Sequence, residues 1–422
     1  MIEYLTRNDV KVSIADSAVT ADGKTLPAGT AVVSMYQAKR SVANAVLYKG
    51  TFLSTWDYLS NDAVASFNYI RGFDMVTCVK PAEYDVISGT LSRTVTCDTL
   101  QQFLQENAVS QFSGEEGYDV IISNASEHST AAENALLDSG RQVGMITDGA
   151  YKGDFICSYE DWQSVSDDYI LTGTGVKDPD FTARVIEKTP LVYISGTKDA
   201  LTEDSEGFVY NTLVFFSNDY SNDRTAMEQM GFRTTEDASK ADAVAGGCDL
   251  DEESLAAVQS GVPYVGYTDY ATESIQEYLL PDVQTGYTDG IDCLGYVTYP
   301  EETLVNASYI LDGDDIFYSS STNYFTALPE GAKILVQRDG SRAPLEGFLN
   351  GDEESRNTFL NGIMGFSYEG PDKDGNDVNI TLFANTMTER GHQRDEYAFI
   401  SNALFAGFLT ETPYVSTVSS GN

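Results

Sequence analysis

Apolar residues in this chain fall into short, nearly unbroken runs separated by polar stretches of helical period. Near the start, Val10-Lys11-Val12-Ser13-Ile14 reads as a strand, followed by a hairpin turning at Ala21-Asp22-Gly23-Lys24. Leu26-Pro27-Ala28-Gly29-Thr30 then opens a strand expected over Ala31 to Met35. A helix is expected from Gln37 to Tyr48, because Ala38, Val42 and Ala45 share one face and Gly50 lies beyond its end. Residues 51–97 are aromatic and irregular, with Trp56, Tyr58, Phe67, Tyr69 and Phe73.

From about Asp98 the pattern becomes that of an α/β protein. Tyr118-Asp119-Val120-Ile121-Ile122-Ser123 has the apolar continuity of a strand buried on both faces. Residues 129–138 read as a helix and Gln142 to Thr147 as the next strand. The same syntax returns with strands at Leu191 to Gly196, Ala241 to Val244 and Val262 to Thr268, and a helix over 252–259. Another helix runs from Asp223 to Met230 and is closed by Gly231, with Asn222 and Asp223 placed to cap its first turn. Strands at Lys333 to Gln337 and Val378 to Ala384, a helix from Glu396 to Phe408 and a frayed polar tail over 412–422 complete the reading.

The stretch Gly261-Val262-Pro263-Tyr264-Val265-Gly266-Tyr267-Thr268-Asp269-Tyr270-Ala271 is a buried strand, a tight turn and the start of a helix. In open α/β sheets, ligands and nucleophiles lie beyond the carboxyl end of such a strand. An earlier passage can be laid on it at one offset: Ser139-Gly140 on Ser260-Gly261 and Thr147-Asp148 on Thr268-Asp269. The inner glycines break the offset, since Gly144 falls on Val265. Two related α/β units in tandem are therefore expected, although any strand–helix–strand unit resembles any other. The expected division is 1–188, 189–411 and a tail over 412–422.

Composition narrows the classes of function. A chain of 422 residues with 42% hydrophobic residues, 26 Tyr and 20 Phe has ample material for two or three packed domains. Its 65 acidic against 25 basic side chains give a formal net charge of −40. Such a surface repels phosphate backbones and anionic lipid, so neither nucleic acid nor a membrane face is an expected partner. No apolar run is long enough to span a bilayer. Met1-Ile2-Glu3-Tyr4-Leu5 lacks the pattern of a signal peptide and reads as a helix end, as though the chain began inside a larger protein. None of the five cysteines forms a C-x-x-C pair. In an oxidising compartment Cys78–Cys97 and Cys248–Cys293 would be the bridges, with Cys157 left over; otherwise all five are thiols.

Two stretches carry a family resemblance. One is Leu26-Pro27-Ala28-Gly29-Thr30-Ala31-Val32-Val33-Ser34-Met35, with Gln37 and the helix through Asn44. The other runs in order through Gly347-Phe348-Leu349-Asn350-Gly351, Ile380-Thr381-Leu382-Phe383-Ala384, Arg390-Gly391-His392 and Asn402-Ala403-Leu404-Phe405. The chain resembles the non-catalytic C-terminal region of large bacterial zinc carboxypeptidases of the carboxypeptidase A superfamily. The resemblance implies tandem class I glutamine amidotransferase-like (flavodoxin-like) units, with mostly parallel sheets and helices on both faces. It also implies an exported protein, extracellular or in the cell envelope. The family's peptidase domain holds zinc through His-x-x-Glu and a distant His. Here His128 is followed by Ser129-Thr130-Ala131 and His392 by Gln393-Arg394-Asp395, so neither opens that motif. No metal or cofactor site is expected.

Class I amidotransferases place a cysteine at the strand-to-helix turn, activated by a His and a Glu. Laid on that pattern, Thr268 stands where the cysteine would be, Thr147 takes the same place in the earlier passage, and His392 falls roughly where the family's His would be. No His-x-Glu accompanies it, and these threonines can equally cap the turn. Cys248, in Gly246-Gly247-Cys248-Asp249, is a second nucleophile candidate, set against a bridged or buried thiol in a strand-to-helix loop. Asp372-Lys373-Asp374-Gly375-Asn376-Asp377 lacks the glycine and glutamate of a calcium loop at the required places and reads as a hairpin turn. Ser195-Gly196-Thr197-Lys198 lacks the spacing of a phosphate loop. Arg390 and Arg394 could grip a carboxylate ligand but suit internal ion pairs better. The leading expectation is a non-catalytic accessory region that packs against a peptidase domain or subunit, or binds peptide or cell-wall material. The alternatives are a stand-alone hydrolase using Thr268 or Cys248 with His392, and a glycan- or peptide-binding module.

Overall fold

A computed structural model describes residues 1–48, 50–53, 67–177, 179–198, 217–288, 290–309, 315–388 and 393–416. Two compact units emerge: Met1–Gly50 with Ala65–Val109, and Thr51–Val64 with Ser110–Asn422.

In the first unit the strand Val12–Ala15 is flanked on both sides by antiparallel neighbours, Ala31–Val32 and Leu91–Val95. The hairpin Val19–Ala21 with Lys24–Leu26 turns on Asp22 (φ 48°) and Gly23 (φ 79°), as its Asp-Gly pair predicts. Leu5, Val10, Val12, Ala43, Val46, Val95, Leu100 and Phe103 form the core. The strand expected to Met35 stops at Val32, and the helix expected from Gln37 begins only at Arg40. Gln37 explains both. Its side chain accepts from the Lys11 amide at 2.8 Å and donates to the carbonyls of Lys11 (3.1 Å) and Ser34 (2.7 Å), which holds the intervening chain in a turn. Neither disulfide is formed. Cys97 points its thiol at the Thr6 carbonyl (2.9 Å), and Cys293 is buried within a strand.

The second unit is mixed α/β and holds two large sheets. Its seven-stranded sheet runs in the order Leu409–Pro413, Ala183–Ile186, Gly144–Ile146, Phe155–Ser158, Asp119–Ile122, Thr172–Val176, Gln111–Gly114. Only the last pair is parallel; the others are antiparallel. This corrects the expectation of a mostly parallel sheet here, and with it the pairing of Thr147-Asp148 with Thr268-Asp269. After Gly144–Ile146 the chain makes a single 3₁₀ turn, Gly149–Tyr151, and returns beside itself as Phe155–Ser158. Gly149 (φ 76°) and Gly153 (φ 91°) allow so tight a return, and no α-helix lies between the two strands. Asp148 accepts instead from the Thr182 amide (2.7 Å) and hydroxyl (2.6 Å). The described part of the expected tail is also ordered into the sheet: Leu409–Pro413 forms the edge strand, and Tyr414 donates from its amide to Ala183 (2.8 Å) and from its hydroxyl to Asp119 (3.3 Å).

The second sheet has thirteen strands. Its parallel half contains five, numbered here in chain order: β1 Leu191–Ile194, β2 Arg233–Thr235, β3 Ala243–Gly246, β4 Tyr264–Tyr267 and β5 Asp377–Phe383. They lie side by side in the order β2-β1-β3-β4-β5, all parallel. Helix α1 Ser217–Gln229 lies between β1 and β2, α2 Glu252–Gln259 between β3 and β4, and α3 Asp269–Tyr278 follows β4. Every residue of β3 and β4 is buried, which is why their sequence shows continuous apolar runs rather than alternation. Beyond β5 the sheet continues antiparallel through Ile363–Pro371. The expected boundary at 188/189 falls between the two sheets, and both belong to the second unit.

The helices Glu127–Asp138 and Tyr397–Ala406 tie the two sheets together. Phe405 meets Phe155 of the first sheet (5.6 Å) and Phe232, which opens onto β2 (5.4 Å). Asn134 donates to the Met230 carbonyl at 2.9 Å. At Gly231 (φ 76°) an added Cβ would lie 2.9 Å from the Ala131 Cα, so the backbones meet there with no room for a side chain.

Candidate functional site

A parallel sheet whose strand order reverses opens a crevice at the carboxyl ends of the two strands flanking the reversal. Here those strands are β1 and β3, and β4 borders the same edge. The loops leaving them are Ser195-Gly196-Thr197, Gly246-Gly247-Cys248 and Thr268. Thr268 and Cys248, singled out from the sequence, are thus carried to one crevice. Thr147 belongs to the other sheet, and His392 and Arg390 lie outside the described residues.

Thr268 has φ 98° and ψ 170°, a backbone conformation costly for a β-branched residue. It is one of three non-glycine residues with positive φ among those described, and it ends β4 and caps α3. Its hydroxyl donates to the Gly247 carbonyl in a short hydrogen bond and accepts from the Ala271 amide at 3.4 Å. Its carbonyl accepts from the Thr272 hydroxyl at 2.8 Å. The strain is therefore balanced by a cap and by a tie to the neighbouring loop.

Asp223 fills the centre of the crevice from α1. Fully buried, it accepts from the Gly247 amide (2.8 Å), the Tyr267 hydroxyl (2.9 Å) and the Thr388 hydroxyl (2.6 Å). The sequence pattern predicts it as a cap on a helix beginning at Asp223. The helix begins at Ser217 instead, so Asp223 lies within it and points inward. Glycine is required around it. A Cβ on Gly246 would lie 2.4 Å from Ser195 Oγ and 3.0 Å from Asp223 Oδ2, and one on Gly196 would lie 2.8 Å from Cys248 Sγ. Two buried hydroxyls, Ser195 Oγ and Tyr264 Oη, have no hydrogen-bond partner among the described residues. Burial, followed by the nearby Cys248, Asp223 and Asp249, pushes the Tyr264 phenol well above its ordinary range.

Tyr264, Tyr267 and Thr388 were not singled out as site residues in the sequence, where Asp223 reads as a helix cap and Ser195 as part of a turn that lacks phosphate-loop spacing. The available signal was the pair of glycines, since Gly246-Gly247 at the end of a buried strand marks a close backbone approach.

Other candidates resolve into structural roles. Asp372 Oδ1 accepts from the amides of Asp374 and Asn376, both at 2.8 Å, and Gly375 has φ 89°; this is the hairpin turn between Ile363–Pro371 and β5. Arg394 pairs with Glu127 at 2.6 Å. Among the described residues no group of three or more His, Cys, Asp or Glu has the geometry of a metal site. No described helix is long and apolar enough to cross a membrane. Away from the crevice, a groove of about 770 Å³ is lined by Tyr324, Gln337, Glu353, Asn357, Thr358 and Asn361 among others.

No family model matches the sequence, and no curated protein matches it. Among solved structures, the chain is similar to a protein from Thermoplasma acidophilum described as part of a GMP synthase, at 12% identity and a TM-score of 0.30. The likeness covers 52% of this chain and 96% of that one.

Proposed function

We propose that the chain is a non-catalytic, amidotransferase-like accessory region of the kind that follows the peptidase domain in exported zinc carboxypeptidases. The β2-β1-β3-β4-β5 order is that of flavodoxin-like sheets, the scaffold class to which amidotransferase domains belong, and it supports one such unit rather than two. The observation that carries the reading is the state of the elbow. The Thr268 hydroxyl donates its hydrogen bond to a backbone carbonyl, and the Gly247 amide, which could otherwise face an anion, is taken by Asp223. A nucleophile needs its proton directed at a base, and an oxyanion site needs its amides available. The role left to such a scaffold is recognition, of a peptidase domain or subunit or of peptide or cell-wall material. The amide- and carboxylate-lined groove beside Asn357 and Asn361 offers hydrogen-bonding partners for a peptide or glycan.

A second reading draws on the strained φ of Thr268, since strand-to-helix nucleophiles occupy strained turns. It makes the chain a hydrolase using Thr268 or Cys248 with His392. An assay of amide, ester and peptide hydrolysis on the wild type and on Thr268→Ala, Cys248→Ala and His392→Ala separates the two. The accessory reading expects no turnover above buffer in any of them. Wild-type turnover abolished by Thr268→Ala or Cys248→Ala and also by His392→Ala would establish the hydrolase.

A further inference from the structure

The helix Glu127–Asp138 carries a carboxyl group into the packed interior of the second unit. Glu133 is fully buried, and neither of its oxygens has a hydrogen-bond partner among the described residues. From the helix Tyr159–Val165 it faces Asp161, whose Oδ2 accepts from the Ser158 hydroxyl (2.7 Å) and whose Oδ1 lies 3.3 Å from Arg141 Nε. From the strand Phe155–Ser158 it faces the buried thiol of Cys157. The basic groups against this helix lie at its ends and serve other acids: Arg394 pairs with Glu127 (2.6 Å) and Arg233 with Asp138 (3.4 Å). Among the described residues, then, Glu133 has an acid and a thiol for neighbours and no paired cation.

An ionised carboxylate cannot be held in such a place, because nothing replaces the water it gave up. The neutral acid can. The helix is also one of the two that join the sheets, through Asn134 to the Met230 carbonyl, the Thr189 hydroxyl to the Asn134 carbonyl (3.2 Å), and the close approach of Gly231 to Ala131.

We propose that Glu133 is a proton-held latch: the helix Glu127–Asp138 docks between the sheets only while this carboxyl is neutral, and alkaline conditions release it. Burial, with the charge of Asp161 adding to it, holds the carboxyl well above its ordinary 4.5. Docked and released forms both carry the proton below that value. Above it only the released form loses the proton, so release becomes about tenfold more favourable per pH unit.

Hydrogen exchange read by mass spectrometry on the whole chain tests this, using peptides covering 127–138 across a pH series and dividing each rate by its intrinsic value. The wild-type opening constant should rise about tenfold per pH unit above 4.5. Glu133→Gln should remove that slope, and Glu133→Met, which also removes the buried polar group, should remove it independently. Exchange in the helix Cys97–Asn107, in the other unit, serves as the internal control. A wild-type slope no steeper than that of the two variants would overturn the proposal. So would a wild-type slope that changes when Na⁺ is replaced by K⁺ or by a bulky organic cation, since a bound ion would then neutralise Glu133.

Discussion

Replacing Asp154 with asparagine should stabilise the second unit at neutral pH and do little at pH 4. Asp154 precedes the strand Phe155–Ser158, and its Oδ1 accepts from the backbone amide of Asn124 at 2.9 Å. Asn124 in turn donates to the Gly153 carbonyl (3.2 Å) and to Asn402 Oδ1 (2.7 Å), and Asn402 donates to Ser308 Oγ (3.1 Å), so one polar network joins both sheets. Burial pushes the Asp154 carboxyl from 3.8 up to about 6, against the opposing pull of the Asn124 amide. Between those values the folded chain holds a proton that the unfolded chain has lost. Stability therefore falls as pH rises through this window and is level above it. At 1.36 kcal/mol per unit the window corresponds to about 3 kcal/mol at most, and the small part of this mostly buried carboxyl that meets solvent brings it to about 1–3 kcal/mol. Asparagine keeps an acceptor for the Asn124 amide and does not titrate. The measurement is urea unfolding of both proteins from pH 4 to 7.5, followed by tryptophan fluorescence, with Trp162 buried in the adjoining helix. The variant should gain about 1–3 kcal/mol over the wild type between pH 4 and 6 and hold that gain above it. A difference that stays constant across the series, or that moves the other way, would rule out a buried, proton-holding Asp154.

Two further predictions concern the crevice. Thr268→Ala keeps the unfavourable φ of 98° and loses the cap and the tie to Gly247, and should cost about 2 kcal/mol in urea unfolding. Thr268→Gly loses the same bonds but relieves about 1–2 kcal/mol of backbone strain, so it should be the milder change; the opposite ranking would mean that the turn is not strained. Asp223→Ala leaves three buried donors without their acceptor and should cost about 3–5 kcal/mol, read as a fall in melting temperature. A loss under about 1 kcal/mol would remove Asp223 from its place as the crevice's central acceptor.

The parallel half of the fold was legible because its strands are buried on both faces, and the runs Leu191 to Ile194 and Tyr264 to Tyr267 record that burial directly. The same kind of run at Asp119–Ile122 misled, because an apolar run reports burial and carries no information on strand direction. Direction was decided by Gly149 and Gly153, whose positive φ lets the chain double back. The Thr-Asp dipeptide likewise occurs in two unrelated settings, at a strand return beside Thr182 and at the cap of α3. Of the crevice, Thr268 and Cys248 were visible from their position after apolar strands. Asp223 was not, because its partners at Gly247, Tyr267 and Thr388 are distant in sequence and meet only when the sheet assembles.

If the Thr268 hydroxyl serves the fold and not a reaction, covalent trapping should fail there. The protein is incubated with serine- and threonine-directed electrophiles, such as a fluorophosphonate and a β-lactone, and adducts are located by peptide mass spectrometry in the wild type and in His392→Ala. No adduct is expected at Thr268 in either protein. A stoichiometric adduct on Thr268 that disappears in His392→Ala would show an activated nucleophile and overturn the accessory role.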